Sequence, residues 1–198
     1  MEKLVGFDQK LLIGMNKLAG KSSVADFIIV LLAQYFVYLI PLSLIIMWFW
    51  PRYDNIYKLK EQKNLISAFL SAIFSWLAIS QPLIYVFHRA RPDNILLGHK
   101  ELFFHRPTFA FPSDHASMLF GLTFYLYFAG EHKKVHFFLA LSVIICVSRI
   151  IAGVHFPFDI IAGLIIGLII ATLVRLLNRY LEPLSEKLIK FLKKYKLA

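Results

Sequence analysis

VHFFLALSVIICVSRIIAGVHFPFDIIAGLIIGLIIATLVRLL, residues 135–177, is two long apolar runs joined by a short polar stretch. The first run, about Val135 to Val147, ends on Ser148 and Arg149. The second, Pro157 to about Leu177, begins beside His155 and Asp159. Runs this apolar mark helices that cross a bilayer rather than helices of a soluble core. Gly163, Gly167 and Ala171 recur at four-residue spacing, which predicts a seam where another membrane helix packs closely. The polar stretch between the runs then lies at a membrane boundary, where ionisable residues need a reason to be.

The rest of the chain extends the pattern. Further spans are expected over about Val24 to Trp50, Leu65 to Phe87 and Ser113 to Ala129, with Pro41 and Pro82 as points of irregularity. Trp48, Trp50 and Tyr53 read as an aromatic belt. The fold class expected is an all-α integral membrane protein, a bundle of about five transmembrane helices. Leu4, Phe7, Leu11, Met15 and Leu18 fall at helical spacing, with Lys3, Asp8, Lys10 and Lys17 mostly elsewhere around the turn. This predicts an N-terminal amphipathic helix, lying in the interface or packed on the bundle. One domain is expected over 1–198: an interfacial helix at 1–20, the bundle at 24–180 and a basic amphipathic tail at 181–198. Residues 1–20 lack the continuous apolar core of a cleavable signal peptide.

Composition agrees: 59% of the 198 residues are hydrophobic and 17% charged, against roughly 45–50% and about 25% in soluble domains. A net charge of +10 would point to nucleic acid in a soluble protein. Here the basic residues flank apolar runs, which argues against nucleic acid and for membrane headgroups as partners. Five spans place the 52–63 connector, Lys133, Lys134 and the tail on one side, with thirteen of the 22 Lys and Arg. The positive-inside rule then puts the opposite, polar-clustered side outside the cytoplasm. Cys146, the single cysteine, sits in an apolar run and reads as a buried small residue.

Three segments meet on that outer side. In the first, Pro157 suits the opening position of a helix, and Asp159 in its first turn can reach back toward His155. A carboxylate accepting from Nδ1–H leaves Nε2 as a nucleophile. In the second, Phe111-Pro112-Ser113-Asp114-His115, Ser113 is an N-cap whose following N–H groups form an anion site. His115, about one turn in, is placed to protonate a leaving oxygen. The third is Arg89-Ala90-Arg91-Pro92; Arg91 and Arg149 would hold a phosphoryl group from two sides. A zinc site of His115, His155 and Asp159 is the competing reading, but it leaves two repelling arginines without a task. His88, His99, His105, His132 and His136 read as interfacial or structural. Lys100 and Arg106 read as loop charges within reach of a diphosphate.

Together these segments resemble the type 2 phosphatidic acid phosphatase superfamily of membrane lipid phosphatases. Its pattern is a Lys-containing stretch ending in Arg-Pro, then Pro-Ser-Gly-His, then Ser-Arg-x5-His-x3-Asp. The last is complete here as Ser148, Arg149, His155 and Asp159; the second is Pro112-Ser113-Asp114-His115; the first ends in Arg91-Pro92. The resemblance implies that His155 is transiently phosphorylated, that His115 serves as acid and then base, and that Asp159 orients His155. It implies phosphate binding by Arg91, Ser113, the Asp114 N–H and Arg149, with no metal and no cofactor. Two positions depart from the pattern. The expected Lys falls at Ile84, leaving Arg89 to supply that charge to phosphate. Asp114 replaces Gly, so its carboxylate must point away from phosphate or stay protonated.

The Phe-Pro-Ser-Asp-His spelling and the amphipathic N-terminus look like the bacterial undecaprenyl-diphosphate phosphatase branch. That branch implies a polyprenyl diphosphate substrate, the plasma membrane and an extracytoplasmic site. Ile95, Leu96, Leu97, Leu102, Phe103 and Phe104 would suit a site open to lipid. The alternatives are phosphatidylglycerophosphate or phosphatidate as substrate, another lipid as phosphoryl acceptor, and a non-enzymatic phosphate-binding membrane protein.

Overall fold

The computed structural model describes residues 2–50, 55–92, 99–103, 109–195 and 197. Arg52, Tyr53, Ile95, Leu96, Leu97, Phe104, His105, Arg106 and Lys196, named above, lie outside the described residues, as do the side chains of Lys3 and Leu4. The described chain is helical. An N-terminal helix α1 (Glu2–Asn16) precedes α2 (Ser23–Phe49) and α3 (Ile56–Phe87). Then come α4 (Asp114–Phe128), α5 (His132–Ile151), α6 (Pro157–Leu176) and α7 (Asn178–Lys194). The helices α2, α3, α5 and α6 are long and apolar enough to cross a membrane.

The remaining expected span, α4, is the hub. Its 15 residues rise only about 22 Å, less than the roughly 30 Å of a hydrocarbon core. It lies inside the bundle, packed most extensively against α6 and also against α3 and α5. The small residues of α6 explain the closeness. A Cβ on Gly163 would lie 2.6 Å from the Ala116 Cβ and the Ser113 carbonyl oxygen, and one on Gly167 would lie 2.6 Å from the Gly121 nitrogen. Opposite this seam, Ile161, Ile165 and Ile169 are about half exposed, as a lipid-facing side requires.

Proline irregularities fall where expected. Pro41 and Pro82 have no N–H to give the carbonyls four residues back. Just before them, α2 has a π-helical turn at Leu31–Tyr35 and α3 another at Phe74–Ser80. One boundary differs from the sequence reading. The charged stretch read as a connector up to Asn64 is helical from Ile56, because α3 buries Glu61, Gln62 and Asn64. Lys134 bonds Glu61 at 2.8 Å, and Asn64 donates to Glu131 at 2.9 Å. Lys63 reaches Glu182 at 2.9 Å, and also Glu186, both on α7.

Of the two placements expected for the N-terminal helix, the structure shows packing on the bundle. Phe7, Leu11 and Leu18 are exposed, available to an interface. The opposite face buries Asp8, Leu12 and Asn16 against the bundle. It docks on the same side as the polar motifs.

Candidate active site

The Ser-Arg-x5-His-x3-Asp spacing is the geometry of one helix ending and another beginning. Ala152 caps α5, Gly153 follows at φ +80°, and the N–H groups of Gly153 and Val154 return to the carbonyls of Ile150 and Arg149. That pair of bonds is a Schellman motif, with glycine at the left-handed position. Phe156 then caps α6 and Pro157 opens it. Arg149 thus sits three residues before one cap, and Asp159 three after the other. His155 lies on the tight link between them, 1% exposed.

The two ring nitrogens of His155 meet one neighbour outside its motif, Ala110, and one inside it, Arg149. Its Nδ1 is 3.1 Å from the carbonyl of Ala110, which can only accept, so Nδ1 carries the hydrogen. Its Nε2 is left as the acceptor, 3.3 Å from Nη2 of Arg149. The other end of that guanidinium donates to the Ala33 carbonyl at 3.1 Å, within the π-helical turn of α2. An irregularity in one span therefore anchors a cation carried by another.

Asp159 does not hydrogen-bond the His155 ring as expected. Its Oδ2 lies 3.6 Å from His155 Nδ1, beyond hydrogen-bonding distance. The reason is the helix start: Oδ2 accepts the Phe156 N–H at 2.8 Å, as a third-position carboxylate does in a capping box. Its Oδ1 is taken by Arg89 at 2.6 Å. Arg89 in turn is not aimed at phosphate. Its guanidinium joins Asp159 to Asp8 at 2.5 Å and lies 4.2 Å over the Phe156 ring.

Ser113 caps α4, its Oγ accepting from Ala116 N–H at 3.5 Å, and its own N–H donates to the Asp159 carbonyl at 3.0 Å. The starts of α4 and α6 are thereby joined. The Asp114 carboxylate folds onto the next residue, where Oδ1 accepts both the backbone N–H and the Nδ1–H of His115, each at 2.8 Å. So both histidines have Nδ1 tied to an oxygen, and Nε2 is the nitrogen left for chemistry. Arg91, buried, donates to the Val154 carbonyl at 2.8 Å, next to His155.

A cavity of about 810 Å³ lies in front of these groups, with Arg91, Asp114, His115 and Arg149 in its wall. His155 and Ser113 are buried beside it. Gln34, Gln81 and Phe103 also line it; the two glutamines were not singled out in the sequence, although a Gln inside an apolar span is a signal. A second, mainly apolar cleft of about 330 Å³ adjoins it through His115 and Trp76, walled by Val37, Pro41 and Met118. Lys100 lies elsewhere, its Nζ 3.4 Å from the Gly20 carbonyl. Among the described residues no three His, Cys, Asp or Glu side chains gather as a metal site, so His115, His155 and Asp159 do not form the alternative zinc triad.

Fold and site together define an integral membrane helical protein with a polar chamber at one end of the bundle. Residues 64–182 match the sequence profile of the PAP2 superfamily, and the chain belongs to it. It is 29% identical over 138 residues to YbjG of Escherichia coli (strain K12), named as a candidate undecaprenyl-diphosphatase; the match spans 69% of this chain and 65% of YbjG. It is 28% identical over 150 residues to the bacitracin transport permease protein BcrC of Bacillus licheniformis, over 75% of this chain and 70% of BcrC. In fold it resembles the transmembrane PAP2 type phosphatidylglycerolphosphate phosphatase from Bacillus subtilis. There the TM-score is 0.62 at 20% identity, covering 91% of this chain and 88% of that one.

Proposed function

We propose that this chain is a lipid phosphatase that hydrolyses undecaprenyl diphosphate to the monophosphate and inorganic phosphate, through a phosphohistidine on His155. The observation that carries the reading is the paired histidine arrangement: each Nδ1–H is held by an oxygen, at Ala110 and at Asp114, beside a chamber walled by two arginines. In the first step Nε2 of His155 forms a bond to the terminal phosphorus while the bridging P–O bond breaks. The departing lipid phosphate oxygen takes the proton of His115 Nε2. In the second step water attacks phosphorus, gives its proton to His115, and the N–P bond breaks. Asp159, 3.6 Å from His155 Nδ1, opposes the positive charge that builds on the ring. Arg91, Arg149, Ser113 and the Asp114 N–H at the start of α4 hold the phosphoryl oxygens. Arg149 must exchange its contact with His155 for one with phosphate.

The adjoining apolar cleft supports a lipid substrate, because Val37, Pro41 and Met118 share its wall with His115. The likeness to YbjG supports the diphosphate. The preponderance of Lys and Arg on the opposite side supports an extracytoplasmic site in the plasma membrane. One domain over 1–198 is the organisation that fits. The fold likeness to a phosphatidylglycerolphosphate phosphatase favours a second reading, the same chemistry on a glycerophospholipid phosphate.

The test is phosphate release by the purified protein in detergent with EDTA, on undecaprenyl diphosphate and phosphatidylglycerophosphate side by side. Release from the diphosphate, lost in His155→Ala, is the expected result. Turnover of the glycerophospholipid alone would change the substrate; activity retained by a folded His155→Ala protein would overturn the mechanism.

A further inference from the structure

We infer that the N-terminal helix α1 belongs to the active-site assembly, and that its Asp8 is a positioning residue acting on Asp159 and His155 through Arg89. The inference rests on His155 being the reacting group. Asp8 sits on a helix whose outer face is apolar, yet it is fully buried. Its Oδ2 meets Arg89 Nη2 at 2.5 Å, and its Oδ1 accepts the N–H of Phe158 at 3.0 Å, in the first turn of α6. The other Nη of Arg89 meets Asp159 at 2.6 Å. One guanidinium therefore serves two fully buried carboxylates, and neither has the water that would otherwise solvate its charge. Asp159 in turn holds its second oxygen 3.6 Å from His155 Nδ1.

A second tie fixes the other end of α1. The Asn16 amide donates to the carbonyls of Lys100, at 2.7 Å, and Ile151, at 2.8 Å, and accepts the Lys100 N–H at 2.8 Å. Ile151 ends α5 and Phe158 lies at the start of α6, so α1 grips both sides of the link that carries His155. Removing the Asp8 charge leaves the guanidinium with one carboxylate. It is then free to turn away from the Phe156 ring, and Asp159 follows it. Ground-state substrate binding, made by Arg91, Arg149 and α4, changes little; what changes is the ring that must attack and carry charge.

The experiment compares full-length wild type, Asp8→Asn, Asp8→Glu, Arg89→Gln and the Asp8→Asn/Arg89→Gln double variant. It measures kcat and KM for phosphate release from undecaprenyl diphosphate, and orthovanadate affinity by thermal shift. Asp8→Asn should lose about tenfold or more in kcat with KM within about twofold, the size expected for a charge-assisted bond. Vanadate, which occupies the attack geometry, should weaken in parallel. Asp8→Glu should recover part of both, and Asp8→Asn should add nothing in the Arg89→Gln background. Wild-type kcat and vanadate affinity in Asp8→Asn would overturn the inference, and so would an equal loss in the Arg89→Gln background. Should Asp8→Asn fail to fold, Asn16→Ala, which loosens α1 without touching a charge, must show the same kcat loss at unchanged KM. A wild type that binds vanadate without releasing phosphate would overturn the hydrolase reading alone, and the vanadate comparison would still decide the role of Asp8. A wild type that binds no vanadate would overturn both.

Discussion

Replacing Asp114 by Ala should slow the enzyme without weakening its hold on substrate. The carboxylate makes two bonds through one oxygen, to the N–H and the Nδ1–H of His115, both at 2.8 Å. The first is replaceable by water, because His115 is partly exposed. The second fixes which ring nitrogen faces the chamber. A hydrogen bond to a charged group is worth about 1.5–3 kcal/mol net, which corresponds to roughly 10- to 150-fold in rate if the bond acts only in the transition state. Asp114 also lines the cavity that would receive a phosphate, where its charge opposes the ligand. So kcat should fall by about 10- to 150-fold while KM stays level or drops. Phosphate release at saturating lipid diphosphate in detergent measures both, with thermal unfolding as the folding control. A folded Asp114→Ala protein whose kcat stays within about twofold of wild type, while His115→Ala is inactive, would refute the argument that this carboxylate orients the acid.

Arg149→Lys should lose about 100-fold in kcat, because one ammonium cannot hold the Ala33 carbonyl and a phosphoryl oxygen at once as the forked guanidinium can; steady-state kinetics check this, and a loss under about threefold would count against the bidentate role. Gly163→Ala should cost about 1–3 kcal/mol in thermal unfolding, since the added methyl meets Ser113 backbone at 2.6 Å, and activity should fall because Ser113 opens the phosphate-binding helix. Lys63 holds the partly exposed Glu186 carboxyl below its ordinary value of 4.5, so that link favours the folded state above this pH and fades as pH falls. Hydrogen exchange on α7 should therefore quicken modestly on acidification, and should not do so in Lys63→Met.

The spans, the glycine seam and the meeting of three motif segments at one end of the bundle were legible because each follows from local chemistry. Apolar length marks a span, small residues at four-residue spacing mark close packing, and parity brings alternate loops to one side. What was not legible was the partner of each charge. Arg89 and Arg91 are two residues apart, yet one lies in the cavity wall and the other between two buried carboxylates. Asp8 read as part of the polar side of an interfacial helix, and nothing in one amphipathic period says whether that side meets water or protein. The Ala110 carbonyl, which fixes the His155 tautomer, leaves no trace in a side-chain pattern.

The interval between His155 and Asp159 shows how a correct pattern can carry an incorrect contact. Four residues along a continuous helix would place the two side chains on one face. Here the helix begins between them, at Pro157, so the carboxylate turns back to the N–H of Phe156 and stops 3.6 Å short of the ring. Its effect on His155 is then chiefly one of charge, and charge acts over that distance in a buried setting far better than in water. A neutral Asn at 159 should keep the cap, keep the Ala110-held tautomer and still slow the chemical step, whereas Glu, with the charge but a longer reach, should lose the cap. Rates and stabilities of the two variants should therefore part company: Asn stable and slow, Glu less stable. If Asn proved as fast as wild type in phosphate release, the carboxylate would be a helix cap and nothing more.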